Sequence, residues 1–377
     1  MKRELCGAGA RGCDVPRTVM IMAGGTGGHI YPGMAVADVL RSRGWRVVWL
    51  GTRKGMEARI VPGAGYEMAW LGMSGLRGNG LLRKLLMPAM LMLAFAEALS
   101  AILRHRPEVV LGFGGYVSFP GGVMAVMTGL PLLIHEQNAI AGLSNRVLAC
   151  LARRVMTGFP EAFKHNTDRP LPCGKVESHW TGNPVRESVR PVTDAVRLTR
   201  SGPLRLLVVG GSLGAQALNT TVPQALALID EEVRPQVIHQ SGVRHVDALR
   251  ENYRQAGVAA EIKPYIEDMA EAYQWCDVAI TRAGALTIAE LAAAGVPAIL
   301  VPYPHAVDDH QTRNAGFLVE QDAAILLPQD RLEPETLAAL LAGLSRERLA
   351  GMAGRALAVA KPSAAQDVAD FCAEAAR

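Results

Sequence analysis

The 377-residue sequence contains no Cys-x-x-Cys pair, no P-loop lysine, no basic run interleaved with aromatics and no apolar run of membrane-spanning length. Each absence removes a class of function. Six cysteines (Cys6, Cys13, Cys150, Cys173, Cys276, Cys372) are scattered along the chain, which argues against a zinc site and reads as reduced thiols in a cytoplasmic protein. The apolar run 85–96 contains Pro88 and falls well short of the about twenty residues a spanning helix needs. The formal charge of +4 is mild and nucleic acid is not an expected partner, although a membrane surface or a diphosphate ligand is compatible with it. Aromatics make up only 5% of the chain, and the abundance of Ala, Leu, Gly and Val suits α/β packing, in which small residues let helices sit close to sheets. Residues 1–17 are polar and Gly-rich with no apolar h-region, so they are not a signal peptide and are expected to be disordered.

The stretch 281–314 is the most informative. It begins at the end of a buried-strand run, 278–280, turns at Ala283-Gly284, and enters a helix pattern over 286–294 that Gly295 and Pro297 stop. A second strand, 298–301, leads into a polar loop holding His305, Asp308, Asp309, His310 and Gln311. A strand, a glycine turn and a helix start together make an anion site, because the first-turn N–H groups are unpaired and the helix dipole adds positive charge there. Thr287 adds a hydroxyl. Glu290, one turn further on the same face, suits a ribose diol or is simply a solvent-facing carboxylate.

The same grammar recurs. The strand 18–23 ends in Gly24-Gly25-Thr26-Gly27-Gly28-His29, with a helix expected over 33–43. The third glycine of a dinucleotide fingerprint counted from Gly25 would fall on Ile30, so NAD is disfavoured, and ATP likewise. His29 is either a general base or a loop cap. Strand 109–112 runs into Gly114-Gly115, and strand 132–134 ends in His135-Glu136-Gln137-Asn138, where ligands bind in open α/β sheets. Ahead of a helix expected to be mostly core from about Pro88, Leu82, Arg83, Lys84, Leu85 and Leu86 place cations beside leucines, a candidate contact with anionic lipid. Thr181 to Arg186 reads as a hinge, and strand 205–209 with Gly210-Gly211-Ser212 opens the second half.

The halves echo each other. Gly24 and Gly210 stand 186 positions apart in matching strand–glycine patterns, and Gly129 and Gly295 stand 166 apart in matching helix–strand junctions. Two Rossmann-like, doubly wound domains with ligand loops at the carboxyl edges of both sheets imply a cleft suited to a two-substrate transfer.

At this point the motifs GGTGGH (24–29), GGYVS (114–118), HEQN (135–138), TGNPVR (181–186), GGSLGA (210–215), GALT (284–287) and HAVDDHQTRNA (305–315) carry a resemblance. The chain resembles the MurG family, N-acetylglucosaminyltransferases of peptidoglycan synthesis with the glycosyltransferase-B fold. The resemblance implies inverting transfer of GlcNAc from UDP-GlcNAc to the MurNAc 4-hydroxyl of undecaprenyl-diphosphoryl-MurNAc-pentapeptide (lipid I), giving lipid II. It places the donor at Thr26, Gly27, Gly28, Asn138, Arg186, Ser212, Ile266, Ala285, Leu286, Thr287, Ile288, Ala289, Glu290 and Gln311. The lipid diphosphate would lie on Gly24, Gly25, Gly114 and Gly115, and the lipid tail near Leu82 to Leu86. It further implies peripheral attachment to the cytoplasmic face of the inner membrane and possible contacts with other cell-wall synthesis proteins. The domains expected are 18–185 for the acceptor and 186–363 for UDP-GlcNAc, with helix 364–377 packing back on the first. No Asp-x-Asp motif stands in a suitable place, so neither metal nor cofactor is expected, with helix dipoles and Arg186 in the metal's role. His29 is the expected base, with His135 and Glu136 as rivals. The rival readings of the whole chain are a related glycosyltransferase with another lipid acceptor and a non-catalytic, membrane-recruited UDP-sugar-binding subunit.

Overall fold

A computed structural model describes residues 16–72, 81–164, 173–192, 199–211 and 214–376. Most of the N-terminal segment expected to be disordered and the donor candidate Ser212 lie outside these.

Two parallel sheets organise the chain. The first contains Thr18–Ala23 (β1), Arg46–Thr52 (β2), Glu67–Leu71 (β3), Val109–Gly114 (β4), Leu132–Glu136 (β5), Arg154–Thr157 (β6) and His179–Trp180 (β7), in the order β3-β2-β1-β4-β5-β6-β7. The second contains Arg205–Val209 (β8), Gln236–Gln240 (β9), Glu261–Lys263 (β10), Val278–Thr281 (β11), Ala298–Leu300 (β12) and Ala324–Leu326 (β13), in the order β10-β9-β8-β11-β12-β13. β1 and β4 are buried along their whole length, as continuous apolar runs must be when helices cover both faces. In each sheet the strand order reverses once, between β1 and β4 and between β8 and β11. Such switch points open a crevice at the carboxyl ends of the strands. The glycine turns at 24–28 and 114–115 lie at the first, and those at 210–211 and 283–284 at the second.

The two loops of the first crevice touch. Gly115 has φ +80°, and a Cβ built on it would stand 2.5 Å from the Gly24 carbonyl oxygen. Only glycine meets both demands. Gly115→Ala is expected to cost about 1–3 kcal/mol from the backbone strain alone, read from urea unfolding. An unchanged midpoint would show that the loops can part without loss.

Three expectations are corrected here. The first helix, Gly27–Ser42 (α1), starts six residues earlier than expected, so His29 sits in its opening turn. Glycines are poor helix formers, but packing of Ile30, Val36, Ala37 and Leu40 on the sheet decides the start. Gly33 instead lets α1 approach closely, because a Cβ there would lie 2.8 Å from the Trp49 ring. Second, Leu81–His105 is one helix, and it is not mostly core. A narrow stripe (Ala94, Ala98, Ala101, Ile102) packs on the sheet, while Met92 and Leu93 stay 67% and 57% exposed. By length and composition Met87–His105 could cross a membrane, yet that stripe is built into the first sheet's core. Third, Cys150 and Cys173 are not free thiols: the chain returning after β6 brings their Cα atoms to 5.5 Å and their sulfurs are bonded. Cys276 and Cys372 remain free and buried.

The C-terminal helix Ala364–Ala375 lies on the first sheet's side of the molecule. Its Val368, Ala369 and Cys372 join the cluster formed by β1 and α1, and Asp370 pairs with Arg43 at 2.6 Å. The crossover 181–186 meets this returning chain at Gly182, whose φ of +83° and contact with Lys361 leave no room for a side chain.

Candidate active site

The cleft begins with open helix ends. α1 is capped by Thr26, helix Gln216–Ala227 by Ala215 and helix Ala285–Ala294 by Gly284, all in extended backbone. None has a side-chain capping bond and none carries an acidic residue in its first turn. The dipoles' positive ends and first-turn N–H groups point at the crevices where anions bind, although His29 N of α1 is spent on Thr26 O at 3.1 Å. On the last of these helices the Ile288 side chain is core and its N–H is bonded to Gly284 O, so the expected ligand role falls to the backbone of 285–287.

The first-half loop is braced by a residue the sequence did not single out. Glu57 is fully buried and accepts from Thr52 N (3.0 Å), Thr52 Oγ1 (2.8 Å) and Gly25 N (3.1 Å). Gly24 and Gly51 make room for it, since a Cβ on either would lie 2.8 Å from its side chain. Nothing local marks Glu57, because its partner Gly25 is 32 positions away. Against this brace, the His29 ring rests on Gly114, whose missing Cβ would stand 3.4 Å from Cε1, and Nδ1 lies 2.8 Å from Gln137 Oε1.

The 135–138 cluster is rearranged relative to expectation. His135 and Glu136 belong to β5 and are 0% and 2% exposed, so neither faces the cleft as a rival base. Glu136 accepts from Asn138 N, Gly142 N and Asn145 Nδ2 at 2.9–3.0 Å, which occupies its carboxylate with framework. His135 Nε2 meets Gly182 O at 2.9 Å, and burial pulls its pKa down to about 4, so it stays neutral. Asn138 lies at the junction of the halves, 3.3 Å from Asn314 Nδ2. Asn314, quoted only within a longer motif, is fully buried and joins both halves: it accepts from Ala139 N (2.8 Å) and donates to Ala283 O (3.1 Å).

The second half contributes a charged pair. Arg186 Nη2 lies 3.2 Å from Glu290 Oε1, and Tyr273 OH donates to Glu290 Oε2 at 3.0 Å. Burial pushes the Glu290 carboxyl above the usual range, against the pull of Arg186 and Tyr273. Burial acts to lower the Arg186 pKa, but the attraction and hydrogen bond of Glu290 outweigh it. The Arg186 guanidinium stacks over Tyr31 of α1, 5.4 Å from the ring centroid, and its buried Nε has no partner among the described residues. A buried donor left open beside an uncapped helix end fits an anionic ligand. Tyr31 OH also meets Tyr265 OH across the cleft at 3.4 Å. Next to it, Ile266 N donates to Gln240 Oε1 at 2.9 Å. Gln311 Oε1 accepts from Tyr303 N at 2.9 Å, which ties this expected donor residue to the chain leaving β12.

The structure thus brings His29, Gly114 and Gln137 together, sets Tyr31 of α1 against Arg186 and its partner Glu290, and joins Asn138 to Asn314 of the second half. Leu82 to Leu86 fall in the opening turns of Leu81–His105.

The glycosyltransferase family 28 N-terminal domain matches residues 19–157, and the family 28 C-terminal domain matches 205–370. A Thiobacillus denitrificans protein named UDP-N-acetylglucosamine--N-acetylmuramyl-(pentapeptide) pyrophosphoryl-undecaprenol N-acetylglucosamine transferase is 61% identical, over 94% of this chain and 97% of its own length. The crystal structure of Acinetobacter baumannii MurG is 40% identical with a TM-score of 0.81, covering 95% of this chain and all of that one. The UDP-GlcNAc 2-epimerase of Neisseria meningitidis, solved with UDP-GlcNAc, shares the fold at a TM-score of 0.64 and 12% identity, over 95% of this chain and all of its own.

Proposed function

The chain belongs to glycosyltransferase family 28, and on that premise we propose that it transfers GlcNAc from UDP-GlcNAc to the MurNAc 4-hydroxyl of undecaprenyl-diphosphoryl-MurNAc-pentapeptide, with inversion. The observation that carries this reading is Arg186, which joins the halves by stacking on Tyr31 of α1, the helix that holds His29, and by pairing with Glu290 of the uncapped helix Ala285–Ala294. His29 takes the proton of the acceptor hydroxyl as its oxygen attacks the anomeric carbon. The bond to UDP breaks, and the charge on the leaving diphosphate falls on the open N-terminus of Ala285–Ala294 and on Arg186. Arg186 turns from Glu290 to the phosphates, which frees the Glu290 carboxylate for the ribose hydroxyls. These preorganised positive groups occupy the role a divalent cation has in other sugar-nucleotide sites, so the reaction is expected to proceed in EDTA. The domain division at residues 185 and 186 follows, with the acceptor on the first sheet and the donor on the second.

The acceptor is carried by a lipid, so the active site works at a membrane surface. Arg83 and Lys84 among Leu82, Leu85 and Leu86 support attachment to the anionic cytoplasmic leaflet, continued by the exposed Met87, Met92 and Leu93. A transfer assay with a short-chain lipid I analogue and a lipid-linked sugar without the lactyl-peptide tests the acceptor. Preferential use of the first supports the reading; equal use would replace it with a broader lipid-acceptor transferase, and use of neither with a binding subunit.

A further inference from the structure

Resting on His29 as the base, we propose that Gln137 and His135 are positioning residues that fix His29 as the Nδ1–H tautomer, leaving Nε2 as the proton acceptor. The direction of each hydrogen bond follows from two backbone carbonyls, which only accept. At one end His135 Nε2 lies 2.9 Å from Gly182 O, so Nε2 carries the proton and Nδ1 is the bare nitrogen. In the middle, one Gln137 amide atom lies 2.8 Å from His135 O and 3.1 Å from His135 Nδ1. Both of those are acceptors, so this atom is the NH2 group, and the amide oxygen faces the other way. That oxygen is 2.8 Å from His29 Nδ1, which must donate to it. Neutral His29 is therefore left with its lone pair on Nε2.

The chain cannot easily run in reverse. His135 and Gln137 are 0% and 1% exposed, so water does not compete for their groups, and His135 resists protonation because burial opposes its charge. Asn145 Nδ2 (3.2 Å from His135 O) and Asn183 Nδ2 (3.0 Å from Gln137 O) hold the backbone at this point. The far end, Gly182, belongs to the crossover between the sheets, so the tautomer of the base is tied to the segment about which the halves would move. A neutral histidine can be base at only one nitrogen, and the wrong tautomer makes a correctly placed ring inert.

The test uses the full-length protein labelled with 15N-histidine. Long-range 1H–15N correlation spectra at mildly alkaline pH, assigned with His29→Ala, report which ring nitrogen of His29 carries hydrogen. The proton on Nδ1 is the expected result, and a proton on Nε2 overturns the proposal without any variant. Gln137→Met removes the directing amide at similar volume. It is expected to cut kcat roughly 10- to 100-fold, part of what a general base contributes, with KM for UDP-GlcNAc within about twofold and the His29 signal moved toward Nε2–H. A moved signal with unchanged kcat also overturns the role. If the wild-type protein transfers nothing, the proposed reaction fails while the spectra still decide the tautomer.

Discussion

His29→Ala is expected to lower kcat by about 10²- to 10⁴-fold, the range a positioned general base contributes. The same change should leave the dissociation constant for UDP-GlcNAc within about twofold. The reason for the split is placement. His29 lies in the first turn of α1 against Gly114 and Gln137, while Arg186 and Glu290 pair with each other. Its Nδ1 is committed to Gln137, so under the proposed mechanism its remaining nitrogen would serve the reaction and not the donor. Alanine is a better helix former than histidine, so the fold should not suffer. Donor affinity from calorimetry and kcat from product formation separate the two effects. A variant with intact turnover removes His29 from the mechanism.

Arg186→Met is expected to do the reverse: donor affinity falls first, and stability falls with it. Methionine leaves the Glu290 carboxylate buried beside Tyr273 without its cation. Removing one member of a buried pair costs about 3–5 kcal/mol. The Arg186 side chain is 35% exposed, so a loss of about 2–3 kcal/mol is expected here, after solvent screening is allowed for. The double change Arg186→Met with Glu290→Leu removes the orphaned charge as well. It should recover much of the stability and none of the donor binding, because the charge pair matters to the fold only through its desolvation. Unfolding in urea and donor calorimetry on the three variants check this. If the double variant binds UDP-GlcNAc like the wild type, the pair is framework and the donor lies elsewhere.

What the sequence reveals here follows from range. Apolar runs such as 18–23 and 109–112 announce buried parallel strands, and the glycine turns behind them announce ligand loops, because both are decided by neighbouring residues. Two Rossmann-like sheets facing a cleft are legible on that basis. The two-residue β7 is not, since so short a strand has no pattern of its own. The start of α1 is misread because local propensity at Gly27 and Gly28 is overruled by packing of residues further along. Polar residues at the end of a strand look alike in sequence, and only the fold shows that His135 and Glu136 turn inward while His29 stays partly exposed in the first turn of α1. The partners that matter most are distant in sequence: Gly25 with Glu57, His29 with Gln137, Arg186 with Glu290, and Cys150 with Cys173.

Structures with this architecture include UDP-GlcNAc 2-epimerases as well as transferases, so the fate of the donor sugar is the most direct test of the central claim. We would incubate the protein with UDP-GlcNAc labelled at the anomeric carbon, a lipid I analogue and EDTA, and identify every product by NMR. The account predicts UDP and a β-linked disaccharide on the lipid in equal amounts, with no product when the acceptor is withheld. Conversion of the donor to its 2-epimer, or UDP with free GlcNAc, would contradict it.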